Sequence, residues 1–555
     1  SSGSITSDFG YGIRIVSDGT ANNNIVTLTD SASVTGALGG IRIAGATGAY
    51  DNAVYLQGAS PVMINTPGIG VDFYAASGNV PADADFITAG QQGVRFFTAD
   101  GDVSGNAVTI GANALPYASI TSTGNYAIDF YAGTTGSSTF NTVTLNGGSL
   151  TGQEGAVRVY AREDSSNNVI DLSGSVQATN GYGVQIVAGS SGTGGADDNK
   201  VYLRSGSLLS QFSTVNIYGY DGVANNLIDL TGTVQSYNSY GAALYADQGA
   251  VSGNTVTLNG SWITEFEVAK FRGYFGANTN TVTFDGTVQS YNGYGVFFYG
   301  GNDTNATANG NKVYLNSGSL TTSDNNVYIS GYAGANSNTI DLTGTVVSYN
   351  VSGASLYSST GTVSANTVAL NGSWTTDFSI AHLRADKGAN TNTFTFDGTV
   401  QSYNGSGVYI YGGTYAGATV SGNKLYLNSG SLTTRFDTAT FNGQYGVNSN
   451  SVGLTGTAVS YQGYGAWFYS GLGTTSGNTV TLNGSWTTDD SIAYLSANQG
   501  ANNNTVTFDG TVQSYNGYGL YIYGGTDTGA TVSGNKLYLD SGSLTTRFDT
   551  AMFNG

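Results

Sequence analysis

Apolar and polar residues alternate in short runs along the whole chain. In TVTLNG after Asn254, Val256 and Leu258 fall on one face while Thr255 and Thr257 fall on the other, the period of two that marks a β-strand. The run GTVQSYN at 286–292 turns Val288 inward, and GVYIYGG at 407–413 turns Val408 and Ile410 inward and Tyr409 and Tyr411 outward. The sequence carries no 3.6-residue pattern and no regularly spaced hairpin turns. Three short strands, glycine corners between them and a closing Asn make a unit of mostly 26–31 residues. The pattern predicts an all-β parallel β-solenoid of roughly twenty rungs, each stacked on the last at about 4.8 Å, in a rod on the order of 90 Å long.

The rung boundary is an Asn followed by an alternating strand. This marker falls at Asn24, Asn52, Asn106, Asn141, Asn168, Asn199, Asn226, Asn254, Asn280, Asn311, Asn338, Asn366, Asn392, Asn423, Asn450, Asn478, Asn504 and Asn535. From Asn254 onward the spacings run 26, 31, 27 and 28 residues and then repeat, a four-rung period of 112. Residues 505–555 match 393–443 at all but seven of 51 positions. The interval from Asn52 to Asn106 is double length and is expected to hold two rungs, the second lacking the usual opening. Residues 1–141 thus read as less regular rungs and 142–555 as the regular array, in one continuous solenoid that is a segment of a longer chain. Stacking gives the markers a role. Asn at the same corner of each rung can hydrogen-bond to the Asn above and below, and Asn tolerates the left-handed backbone of a tight corner. Trp262, Trp374 and Trp486 take the inward place that Val288 holds in other rungs, once per period.

Composition narrows the partners. The chain of 555 residues has 84 Gly, 39 Tyr, 4 Pro and no Cys, with 9% charged residues and a net charge of −19. Hydrophobic content of 39% fills a narrow core. The acidic balance argues against nucleic acid and against an anionic membrane surface. Without Cys there is no disulfide and no thiolate metal site, and no apolar run is long enough for a transmembrane helix.

Catalytic chemistry finds little support. Polysaccharide-cleaving solenoids need clustered carboxylates. The recurrent acids are Asp285, Asp397 and Asp509 in the FDG corner and Asp171, Asp229 and Asp341 in the IDL strand. Members of the FDG series lie four rungs, about 19 Å, apart, too far to pair as acid and base. The single histidine, His382, aligns with Lys270 and Tyr494 in its own repeats and reads as a surface residue. Calcium-binding repeat and EF-hand motifs are missing, so no cofactor is expected and calcium at most adventitiously. The outward column Thr257, Thr283, Tyr314, Asp341, Ala369, Thr395, Tyr426 and Gly453 is too mixed for an ice-binding ladder. A stripe of Tyr245, Tyr299, Tyr357, Tyr411, Tyr469 and Tyr523 just past the inward residues of the third strand is a candidate contact surface, since tyrosine favours interfaces and sugars. The alternative is cross-rung stacking that stiffens the sheet. Loops such as GGTYAGATVSGN project every fourth rung and are further contact points.

With NTVTLNGSW, NTVTFDGTVQSYNGYG and GNKLYLNSGSL, nearly the whole chain resembles the passenger region of bacterial type V secreted surface proteins, the autotransporter adhesins and filamentous-haemagglutinin-like exoproteins. That resemblance implies a right-handed parallel β-helix exported to the cell surface, with roles in adhesion or aggregation. The expected function is a rigid, non-enzymatic rod that associates with copies of itself, end to end or laterally, or attaches to glycans or to a host or neighbouring cell. A carbohydrate-binding or polysaccharide-degrading β-helix is the alternative.

Overall fold

The computed structural model describes residues 3–57, 61–82, 86–111, 118–189 and 192–555. They form an all-β parallel β-solenoid of about 19 turns. Among the described residues there is no helix, hence none long and apolar enough to cross a membrane. Two compact units are formed, Ser1–Tyr274 and Phe275–Gly555, and within each the strands pair in parallel with their equivalents one turn away.

One rung illustrates how the sequence makes the turn. Thr393–Ser402 holds the first two strands as one bent segment, with the bend at Gly398 (φ +139°). A Cβ there would stand 2.0 Å from the Gly372 carbonyl oxygen of the rung below, so only glycine lets the backbones approach at this corner. The third strand is Val408–Tyr411. A fourth, Thr419–Ser421, was not expected: it is three residues long with only Val420 buried, too short for an alternating pattern to register. Rungs with one extra residue, such as Lys424–Thr434, absorb it as a bulge beside Asp397.

The corner at the marker departs from expectation in one respect. The left-handed residue is not the Asn but the one before it: Thr391 (φ 56°), Ser449 (φ 56°), Asn503 (φ 57°) and Gly422 (φ 65°). The turn is completed one residue early, and the Asn keeps both its backbone N–H and its side-chain amide for the neighbouring rung. In the double interval the register sets Gly78 opposite Asn52 and Asn79 opposite Ala107, so a second rung is present with glycine at the marker position.

Each inward position is a buried column. Val256, Val282 and Val313 represent the first strand, Val288 and Leu320 the second, Val408 and Ile410 the third, all essentially inaccessible. Phe73, Phe96 and Phe130 stack in the first unit at 4.8 and 5.1 Å, and Phe441 on Phe468 at 4.9 Å in the second. Trp262, Trp374 and Trp486 are buried in register with valine or alanine of adjacent turns. Their indoles lie against glycine: a Cβ on Gly353 would meet the Trp374 ring at 2.3 Å.

Candidate functional site

The marker asparagines form a buried ladder. Asn392 donates from its backbone N–H (3.0 Å) and its Nδ2 (2.8 Å) to Oδ1 of Asn423. Asn423 does the same to Asn450 at 3.0 and 2.9 Å and also donates to the Ala389 carbonyl at 2.8 Å. Both amide hydrogens and both oxygen lone pairs are thereby used. The pattern runs through Asn106, Asn141, Asn168, Asn199, Asn226 and Asn254 in the first unit. In the second it runs through Asn280, Asn311, Asn338, Asn366, Asn392, Asn423, Asn450, Asn478, Asn504 and Asn535. These side chains hold the rungs together and present nothing to a ligand. A second polar row lies outside it in the fourth strand. Oδ1 of Asn336 accepts from the N–H and hydroxyl of Ser364 at 2.9 and 2.7 Å, and Asn390 and Asn502 repeat the arrangement with Ser421 and Ser533.

The tyrosine stripe stands in one register column: Tyr299, Ser330, Tyr357, Arg384, Tyr411, Asn442, Tyr469, Ser496, Tyr523. Tyr245 holds the same place in the first unit, beside Arg272. All six tyrosines are half-buried. The Arg384 guanidinium lies 5.8 Å from the ring centres of both Tyr357 and Tyr411, bridging rings two rungs apart. In the adjacent column Trp467, Tyr494 and Tyr521 stack, Tyr494 on Tyr521 at 5.0 Å and 2°. Burial pushes the Tyr245 and Tyr409 hydroxyls up, and Tyr464 up to about 12, so these phenols stay neutral.

A more exposed aromatic row sits elsewhere, at the corner after the second strand. In the second unit Tyr349, Tyr403, Tyr461 and Tyr515 are 62, 56, 65 and 56% exposed, with Phe378 and Phe436 of alternate rungs at 47 and 42%. These tyrosines are the Y of the SYN and SYQ corners, a signal present in the sequence just past the inward valine of the second strand.

The first unit carries an outward column of another kind. Arg14, Arg42, Asp72, Arg95, Asp129 and Arg158 stand in consecutive register on the third strand. Arg95 grips Asp72 through Nε and Nη2 at 3.0 and 3.1 Å, and Arg158 grips Asp129 at 2.8 and 2.7 Å. Beside it Phe97, Tyr131 and Tyr160 stack in the stripe column at 5.4 and 4.6 Å. A cavity of about 350 Å³ opens here, lined by Gln92, Arg95, Phe97, Asp129, Tyr131, Thr134, Arg158 and Arg162 among others. Comparison with protein-family models, with curated proteins and with solved structures gives no match.

The remaining candidates are dispersed. Asp285, Asp397 and Asp509 each accept from a serine hydroxyl of the next rung, Ser317, Ser429 and Ser541. Asp171 and Asp229 share Arg204 at 3.2 and 3.8 Å. His382 faces outward, half-buried, with its ring edge-on to Tyr409 at 5.2 Å. Burial and the Arg384 charge hold its pKa below the ordinary value. Among the described residues no three His, Cys, Asp or Glu side chains gather as a metal site would require.

Proposed function

We propose that this chain is a structural and adhesive surface protein whose repeated faces bind copies of itself laterally, and that it is the passenger segment of an exported bacterial rod. The observation that carries this reading is the exposed aromatic corner of the second unit. Large apolar rings 42–65% exposed, recurring in most rungs of the second unit, are costly to leave in water unless a partner covers them, and tyrosine is enriched where proteins meet. The second support is that residues 393–443 and 505–555 agree on outward as well as inward positions, as a contact repeated along an array requires. Extracellular placement rests on the resemblance of the repeats to type V passengers.

The test replaces Tyr403 and Tyr515 by Ser, and separately Tyr411 and Tyr523 by Ser, followed by sedimentation and electron microscopy. The corner pair is expected to abolish lateral association while leaving the circular dichroism spectrum unchanged. The half-buried stripe pair is expected to weaken association less. Full assembly of both double variants would sink the self-association reading.

A further inference from the structure

We infer that the arginine column of the first unit binds a linear, carboxylate-bearing polysaccharide, with one sugar unit seated in the cavity beside Arg95 and Arg158. This supplies a chemistry for surface attachment and does not depend on self-association.

From Arg42 onward the column alternates in sequence but not in what it shows to solvent. The Asp72 and Asp129 side chains are 0 and 1% accessible, while Arg42, Arg95 and Arg158 keep 26, 20 and 20%. The acids lie beneath the guanidinium groups and fix them. The face is therefore cationic on a chain of net charge −19. The arginines are also pre-set by rings: Arg42 lies 5.1 Å from the Tyr74 centre, Arg95 5.0 Å from Phe97 and Arg158 4.4 Å from Tyr126. Little side-chain entropy is left to lose on binding, and a planar guanidinium suits a carboxylate.

Spacing selects a polymer. Arg42, Arg95 and Arg158 recur on every second rung, about 9.6 Å apart at the stacking distance of parallel strands. That is comparable to the two-unit repeat of an extended polysaccharide, in which alternate carboxylates project to the same side. The cavity fits one unit. Its volume of about 350 Å³ is at the lower end for small-ligand sites. Phe97 and Tyr131 cover each other's faces at 5.4 Å and 20°, so they offer ring edges, whose partial positive charge suits an anion. The Gln92 amide donates to Asp129 and the Thr134 hydroxyl to Asp100, which leaves their oxygens to accept from sugar hydroxyls, and Arg162 adds a further cation to the wall.

The experiment is calorimetry of the full chain with hexagalacturonate, with a neutral hexasaccharide (maltohexaose) and with a sulfated oligosaccharide of similar length. Hexagalacturonate is expected to bind, more weakly as ionic strength rises, and maltohexaose not to bind. Arg162→Gln, with its melting curve as the fold control, is expected to weaken hexagalacturonate roughly tenfold or more, the loss of one charge-assisted hydrogen bond. Absence of hexagalacturonate binding to the unmodified chain, equal affinity for the neutral sugar, or tighter binding of the sulfated one would each overturn the assignment. Because the readout is binding and not assembly, its failure leaves lateral association standing.

Discussion

Two regions place different chemistry on the same strand. Between Arg14 and Arg158 the outward column of the third strand is ionic, with each buried aspartate held by arginine of the adjoining turns. In residues 275–555 the same column is aromatic or small: Phe297, Tyr328, Ser355, His382, Tyr409, Thr440, Trp467, Tyr494, Tyr521. The inward valines and leucines and the asparagine ladder hardly change between the two. Backbone stacking therefore depends on what points in, and the outward column is left to vary. Like charges one rung apart repel, and from Arg42 to Arg158 the sign alternates; Arg14 and Arg42 are the like-charged neighbours at the start of the column. An aromatic column carries no such constraint and can be copied as a block.

The largest expected contrast is between deleting an acid from the first column and a ring from the second. Asp129→Ala leaves Arg158 without its buried partner and is expected to cost about 3 kcal/mol, the low end for a broken buried pair, since Arg158 keeps 20% of its side chain in solvent. Tyr494→Ala, its counterpart in the aromatic column, is expected to lose about 0.5–1.5 kcal/mol beyond the area uncovered. Urea midpoints of the two variants measure the difference, and equal losses would erase the distinction. Next in size, Gly353→Ala drives a methyl group toward the Trp374 ring and is expected to destabilise by about 1–3 kcal/mol; an unshifted midpoint would mean that the indole has room to move. Arg384→Ala removes the cation between Tyr357 and Tyr411 and is expected to cost about 0.5–1 kcal/mol, read from the thermal midpoint. Smallest is a pH effect confined to the second unit. The folded-state pKa of His382 lies below the ordinary 6.5, so on acidification the unfolded chain binds the proton first. The contribution to stability is present above pH 6.5 and is lost as pH falls through the folded value. His382→Gln should flatten that slope, and an unchanged slope would place its origin elsewhere.

What was legible in the sequence is what repeats. Period-two strands, the asparagine markers, the inward tryptophans and the parallel solenoid all leave a trace at fixed spacing. The arginine column leaves none. Its members are 28, 30, 23, 34 and 29 residues apart along the chain, and they become neighbours only once each rung's length is known. Asp72 and Asp129 belong to no recurrent series, so no fixed spacing marks them. The left-handed residue before each marker is equally silent, since Thr, Ser, Ala, Asn and Gly all serve there and only the backbone angle is shared. Exposure was the harder quantity to read: Tyr411 and Tyr403 both look outward in an alternating pattern, yet neighbouring side chains half-bury the first and leave the second 56% exposed.

The asparagine ladder also has a sense. Along the row each carboxamide oxygen accepts from the Asn of the rung before it, while each amide donates one hydrogen to the Asn oxygen of the rung after it and the other back to a backbone carbonyl of the rung before. A copy that continued the ladder would have to arrive in the same orientation, so that each oxygen again meets the backbone N–H and amide of the rung before it. Two-fold, head-to-head joining breaks that sense along the row, and head-to-tail joining preserves it. That kind of contact does not close on itself after two copies; it propagates.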